Sequence, residues 1–132
     1  MLNKIDHVGV AVHSTEEVKK LYKALFNLEP EFEETVESQK VHVVGFKMGE
    51  SNIEYLEPTA DDSPIAKYLS KKGEGLHHIA LGVSDILQIL ANMKSQGITL
   101  IDEAPKIGAE GKKIAFVHPK SFNGILLELS QE

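Results

Sequence analysis

Two imidazole–carboxylate pairs, His7 with Glu54 and His78 with Glu128, occupy matching places in the two halves of the chain. The runs that carry them repeat. Residues 6–12 read DHVGVAV and residues 77–83 read HHIALGV; residues 53–56 read IEYL and residues 127–129 read LEL. Duplicated folding units meet about a pseudo-twofold axis, so equivalent residues are expected to converge. Two imidazole nitrogens and two carboxylate oxygens suit a borderline divalent ion such as cobalt, nickel, zinc, manganese or iron(II). Four protein donors on an octahedral ion leave two positions for substrate oxygens, where the charge of a developing enolate is accepted readily. A lone strand histidine is ordinarily a packed or surface residue. Here both histidines sit beside small residues, and both glutamates sit among apolar neighbours. A buried carboxylate without a partner is costly, and a cation supplies one.

The elements that must position these groups follow from the same sequence. Residues 4–12 alternate, with Ile5, His7, Gly9 and Ala11 on one face and Asp6, Val8, Val10 and Val12 on the other. That is a half-buried strand whose valine face packs under a helix. Ser14 and Glu17 form a capping box, and Val18, Leu21, Tyr22, Leu25 and Phe26 follow helical spacing over about 15–27. Strands are expected near 31–37, at 40–48 and at 52–57, with a turn at Gly49 to Ser51. Ser63 and Pro64 open a short helix that Gly73 ends. The second half repeats the order. A strand at 76–83 leads to a helix capped by Ser84, with Ile86, Leu87, Leu90 and Met93 inward and Gly97 as its stop. Strands follow at 98–101, 113–118 and 125–130, with a Pro/Gly-rich loop over 102–112. The pattern predicts one α+β domain of two tandem βαβββ modules, about 1–58 and 75–132, joined by 59–74. Their strands are expected to form a curved, cup-shaped mixed sheet around the metal site.

Composition narrows the function. No cysteine is present, which excludes a disulfide scaffold, thiol catalysis and zinc–thiolate sites. A net charge of −6 argues against a nucleic-acid partner. No apolar run approaches membrane-spanning length, and charge appears too early at the N-terminus for a secretory signal. A cytoplasmic protein without a membrane partner is therefore expected. All 14 basic residues are lysines, so no guanidinium clamp is available for an anionic substrate. Lysines, backbone amides or the metal must hold it. Lys106, Lys112, Lys113 and Lys120 cluster in the second half, either as a solubilising face or as a landing site for phosphates. His77 is expected to point into the packed side, His13 to be solvated, and His118, before Pro119, to shape a turn. Glu37, by composition alone, is a surface residue.

The duplicated pattern His7, Glu54, His78, Glu128 resembles the vicinal oxygen chelate superfamily, which includes glyoxalase I, extradiol dioxygenases, fosfomycin-resistance proteins and methylmalonyl-CoA epimerases. The runs LEP (56–58), SPIAKYL (63–69), GEGLHHIA (73–80) and KIGAEGKKIAFVHPKSFNGILLEL (106–129) are similar to the methylmalonyl-CoA epimerase family over nearly the whole chain. Lys106 stands where many members have Arg, and Glu110 where His or Gly is common. The resemblance implies epimerisation of (2R)- and (2S)-methylmalonyl-CoA, a step of propionate metabolism, by C2 proton abstraction through a metal-stabilised enolate. It implies a divalent cofactor, with cobalt favoured over nickel, manganese or zinc, and His7, Glu54, His78 and Glu128 as its ligands. It also implies Glu128 and Glu37 as the acid/base pair, methylmalonyl-CoA as the ligand, and a homodimer. Glyoxalase I shares the His/Glu pattern and would act as a lyase on a glutathione hemithioacetal, but GEGLHHIA and FVHPKSFNG argue against it. A non-catalytic ligand-binding member of the fold is the remaining alternative.

Overall fold

A computed structural model describes residues 1–132. The first strand, β1 (Leu2–Ala11), runs into helix α1 (Thr15–Phe26), then β2 (Phe32–Val36), a 3-10 turn at Glu37–Gln39, β3 (Val41–Met48) and β4 (Ser51–Pro58). Helix α2 (Pro64–Lys72) leads to β5 (Gly75–Val83), α3 (Ile86–Ser95), β6 (Lys106–Ile107), β7 (Lys113–Val117) and β8 (Leu127–Gln131). The class is α+β, as expected, and the βαβββ order occurs twice. The strands hydrogen-bond in the order β2-β3-β4-β1-β5-β8-β7-β6. Numbered by repeat, that order reads the same from both ends, because β1 corresponds to β5 and β4 to β8. The sheet is mixed: β5 and β8 are parallel, while β2–β3, β3–β4, β6–β7 and β7–β8 are antiparallel.

The chain divides into two compact units, Val8–His77 and Met1–His7 with His78–Glu132. In the first, α1 is capped by Ser14, whose hydroxyl accepts from the Glu17 backbone N–H. One stripe of this helix packs on β3 and β4. Tyr22 stacks on Phe46 at 3.9 Å between ring centroids, and the Tyr22 and Tyr55 hydroxyls hydrogen-bond at 2.6 Å. Ser63, fully buried, caps α2 through the Ile65 N–H, with Pro64 at the helix start where no donor is needed. In the second unit, Ile86, Ile89 and Leu90 of α3 pack on Val83, Ala115, Val117, Leu127 and Leu129.

Three local expectations are corrected. The cap of α3 is Asp85, whose carboxylate accepts from Gln88 N–H, while the Ser84 N–H donates to the Met1 carbonyl. Leu87 is 63% exposed, and Ile89, not Leu87, completes the inward stripe. The helix starts one residue later than Ser84 would set it, which rotates its inward face. The third difference is the strand expected at 98–101, which is reduced to a bridge between Leu100 and Val117. The reason is how its backbone groups are satisfied. Thr99 N–H goes to the Ser121 hydroxyl, and Ile101 and Asp102 N–H groups both donate to the Phe116 carbonyl, so a regular ladder cannot form. The short β6 takes the edge position on β7 instead.

Candidate metal centre and active site

His7 lies on β1 and His78 on β5, each followed by small residues at alternate positions. On β5 these are Ala80 and Gly82, which keep that face low around the imidazole. Glu128 lies on β8, where its register partners are Ala80 on β5 and Phe116 on β7. The pleat therefore puts Glu128 beside a small residue on one side and an aromatic ring on the other. His78 is two residues before Ala80, on the same face, and its ring meets the Phe116 ring edge-on at 5.6 Å.

These placements bring three donors together. His7 Nε2 and His78 Nε2 are 2.9 Å apart, and Glu128 Oε1 is 3.2 Å from His78 Nε2 and 3.6 Å from His7 Nε2. All three residues are about 95% buried. Their donor atoms lie within 4.8 Å of one another, the span one ion covers. Burial alone would raise the Glu128 carboxyl, but the His7 and His78 imidazoles against it outweigh burial and hold the group at about 2. The group is thus an anion throughout the useful pH range, with imidazole nitrogens against it. The donor set fits a borderline divalent ion by type, number and spacing.

Glu54, the fourth expected ligand, belongs to the other compact unit. It is 4% exposed on β4 and opposes Gly45 on β3. Gly45 in turn opposes Phe32, so the glycine sits between an aromatic ring and a buried carboxylate on one face of three strands. Glu37 opens the 3-10 turn between β2 and β3 and is exposed. His118 accepts from the Lys120 N–H through Nδ1 and shapes the turn after β7, as expected. His77 is half-buried and meets the Tyr68 ring edge-on at 5.0 Å, a packing role. His42 bridges Thr35 and Glu33 through its two ring nitrogens.

The alternation along β1 puts Asp6 on the packed face with the valines. It is 4% exposed, but its carboxylate is turned to polar partners. Oδ2 accepts from His7 Nδ1 at 2.8 Å, and Oδ1 accepts from Lys112 Nζ at 3.2 Å. Burial pushes this carboxyl up; the His7 hydrogen bond and the Lys112 charge push it down and prevail. Lys112, one of the four clustered lysines, is accordingly committed inward at 14% side-chain exposure. Lys106, Lys113 and Lys120 remain exposed. The available signal for Asp6 was the Asp-His pair in DHVGV, where the repeat has His-His.

With this geometry in hand, residues 6–116 match the Glyoxalase/Bleomycin resistance protein/Dioxygenase superfamily, and the chain belongs to it. An uncharacterized Bacillus subtilis protein, YqjC, is 42% identical over 98% of this chain and 93% of its own length. An ethylmalonyl-CoA/methylmalonyl-CoA epimerase of Cereibacter sphaeroides is 36% identical over 99% of both chains. The solved structure of a Streptomyces coelicolor methylmalonyl-CoA epimerase variant in complex with 2-nitronate-propionyl-CoA is 36% identical and covers 100% of this chain and 96% of that one, with a TM-score of 0.95. Within the superfamily the chain is a member of the methylmalonyl-CoA epimerase family, a family of isomerases.

Proposed function

We propose that this protein interconverts the (2R) and (2S) forms of methylmalonyl-CoA with a divalent metal ion held by His7, His78, Glu128 and Glu54. The observation that carries the reading is the buried convergence of His7, His78 and Glu128 at ligand spacing. Glu54 is assigned by family resemblance; it is a buried carboxylate on β4. Cobalt is the favoured ion.

The C2 hydrogen of the substrate lies between a thioester and a carboxylate. A bound divalent ion supplies Lewis-acid stabilisation of the negative charge that forms when this hydrogen leaves as a proton. The two imidazoles present their Nε2 atoms and contribute no charge, while Glu128 and Glu54 bring two negative charges to the first shell. The Phe116 ring, edge-on to His78 and on the strand position paired with Glu128, lines one side of the site. Inversion at a planar carbon needs a proton acceptor on one face and a donor on the other. Glu128 and Glu37 take these roles, with Glu37 reaching the substrate from the exposed turn between β2 and β3. A nitronate is planar at the carbon that corresponds to C2 and carries its negative charge on the attached oxygens, as an enolate does, so the ligand bound by the Streptomyces relative supports an enolate-like state. Without arginine, the CoA phosphates fall to lysines, among which Lys106, Lys113 and Lys120 of the second-half cluster are exposed. The apolar residues Leu21, Leu25 and Phe26, at 55%, 63% and 64% exposure on the outer side of α1, support a homodimer.

The test is deuterium wash-in at C2 of methylmalonyl-CoA in heavy water, followed with cobalt-loaded and chelator-treated protein. Metal-dependent exchange is expected. No exchange by cobalt-loaded protein rejects the epimerase reading, and formation of lactoylglutathione from methylglyoxal and glutathione would replace it with the lyase.

A further inference from the structure

A buried carboxylate that the proposed reaction does not use stands directly behind one of the metal ligands. Asp6 precedes His7 in β1, and the pleat of a regular strand sends neighbours to opposite faces. The Asp6 carboxylate nevertheless reaches His7 Nδ1 at 2.8 Å. A carboxylate only accepts, so in this pair Nδ1 carries the hydrogen. A neutral imidazole has one N–H, and the Nε2 lone pair is then directed at His78 Nε2 and Glu128, the position of the other donors.

Asp6 is itself held. Lys112 Nζ lies 3.2 Å from Oδ1 and 3.5 Å from Oδ2, and Lys4 Nζ lies 4.0 Å from Oδ1. At 4% exposure, an unpaired carboxylate here would be costly. The lysine balances its charge and fixes its orientation. Lys112 follows the 3-10 turn Ala109–Gly111, so the contact also ties the loop before β7 to the ligand histidine.

We propose that Asp6 is a positioning residue for the metal centre: its carboxylate, pinned by Lys112, fixes the Nδ1–H tautomer and ring orientation of His7 and so presents Nε2 to the ion. The proposal rests on the metal-site reading above. Outer carboxylates of this kind typically change metal affinity by about 10- to 100-fold. The adjacent position in the repeat is His77, which packs on Tyr68, so only one of the two equivalent histidines carries a carboxylate on the residue before it.

Two measurements test it. Histidine-selective nitrogen NMR of the metal-free wild type should show His7 as the Nδ1–H tautomer; the Nε2–H tautomer overturns the proposal without any variant. Cobalt titration by calorimetry and visible absorption should then rank wild type above Asp6→Asn, whose amide oxygen still accepts, and Asp6→Asn above Asp6→Ala. The Asp6→Ala loss should be about 10- to 100-fold. Asp6→Asn is nearly isosteric and keeps the ranking informative if Asp6→Ala fails to fold. Wild-type cobalt binding matched by Asp6→Asn and Asp6→Ala overturns the positioning role alone. Absence of cobalt binding by the wild type overturns the metal reading, and this proposal with it.

Discussion

His7 Nε2 and His78 Nε2 are 2.9 Å apart although 71 residues separate them in sequence. Two neutral ring nitrogens this close must share one hydrogen, one donating and the other accepting. Asp6 holds the His7 hydrogen on Nδ1, so His78 is the donor. An ion held by both rings would need both Nε2 lone pairs, and the hydrogen between the rings would have to leave to solvent. The same two atoms are thus a hydrogen bond without metal and would be two of the four proposed ligands with it.

Metal loading is expected to raise stability, because the ion binds the folded arrangement and finds no such site in the unfolded chain. At a cobalt concentration 100 times Kd the gain is about 2.7 kcal/mol. A chelator should reverse it. His78→Ala should abolish the gain while leaving the metal-free protein folded. Thermal unfolding with and without cobalt measures this; an unchanged midpoint for the wild type would count against the site.

Glu128→Gln and Glu37→Gln should both suppress C2 exchange, by about 100-fold or more each, the range for a positioned proton-transfer group. They should differ in metal binding. In the proposed mechanism Glu128 is a ligand as well as an acid/base, so its amide variant should bind cobalt more weakly. Glu37, exposed on its turn, should leave cobalt affinity unchanged. Equal loss of cobalt binding in both variants would remove the distinction between ligand and base.

The convergence of His7, His78 and Glu128 was legible because the repeat DHVGVAV/HHIALGV fixes equivalent strand positions, and period-two alternation then sets the facing. The βαβββ order was legible for the same reason, together with the Ser14 and Ser63 caps. What failed was decided by contacts distant in sequence. Asp6 looked like a member of the valine face because its partner Lys112 lies 106 residues away. The apolar run at 98–101 read as a strand, but Ser121 and the Phe116 carbonyl take its backbone donors. Ser84 and Asp85 are both good caps, and the Met1 carbonyl decides between them by turning the Ser84 hydroxyl and N–H toward itself, leaving Asp85 to accept from Gln88 N–H.

Gly45 offers a test of how Glu54 is held. A Cβ at this position would lie 2.2 Å from Phe32 Cε1, so the Phe32 ring covers the glycine in direct contact. Gly45→Ala should push the ring aside at a cost of about 1–3 kcal/mol, the usual range for overpacking. Glu54 is the register partner on the other side of Gly45, so its carboxylate should be disturbed as well. Urea unfolding should show the loss of stability, and cobalt affinity should fall with it. Gly45→Ala combined with Phe32→Ala should recover cobalt affinity, because the obstructing ring is gone; no recovery would mean that the glycine acts through the backbone instead.

Acid should weaken a second polar cluster, which joins β2, β3 and α1. Glu33 accepts from His42 Nε2 at 2.8 Å and from Lys19 Nζ at 3.0 Å, and His42 Nδ1 pairs with the Thr35 hydroxyl. The His42 hydrogen bond, then that of Lys19, holds the Glu33 carboxyl below its ordinary value of 4.5. A group with a depressed folded pKa contributes stability that is fully present above the unfolded value. That contribution is lost as pH falls through the folded one. The stability difference between wild type and Glu33→Gln should therefore be constant from neutral pH down to about 5 and shrink below roughly 4. Glu33 is 38% exposed, so the difference should be small and should fall further at high salt. Urea denaturation of both proteins at pH 7, 5 and 3, at low and high salt, measures it. A difference that ignores both pH and salt would mean that Glu33 contributes through its packed stem and not through its charge.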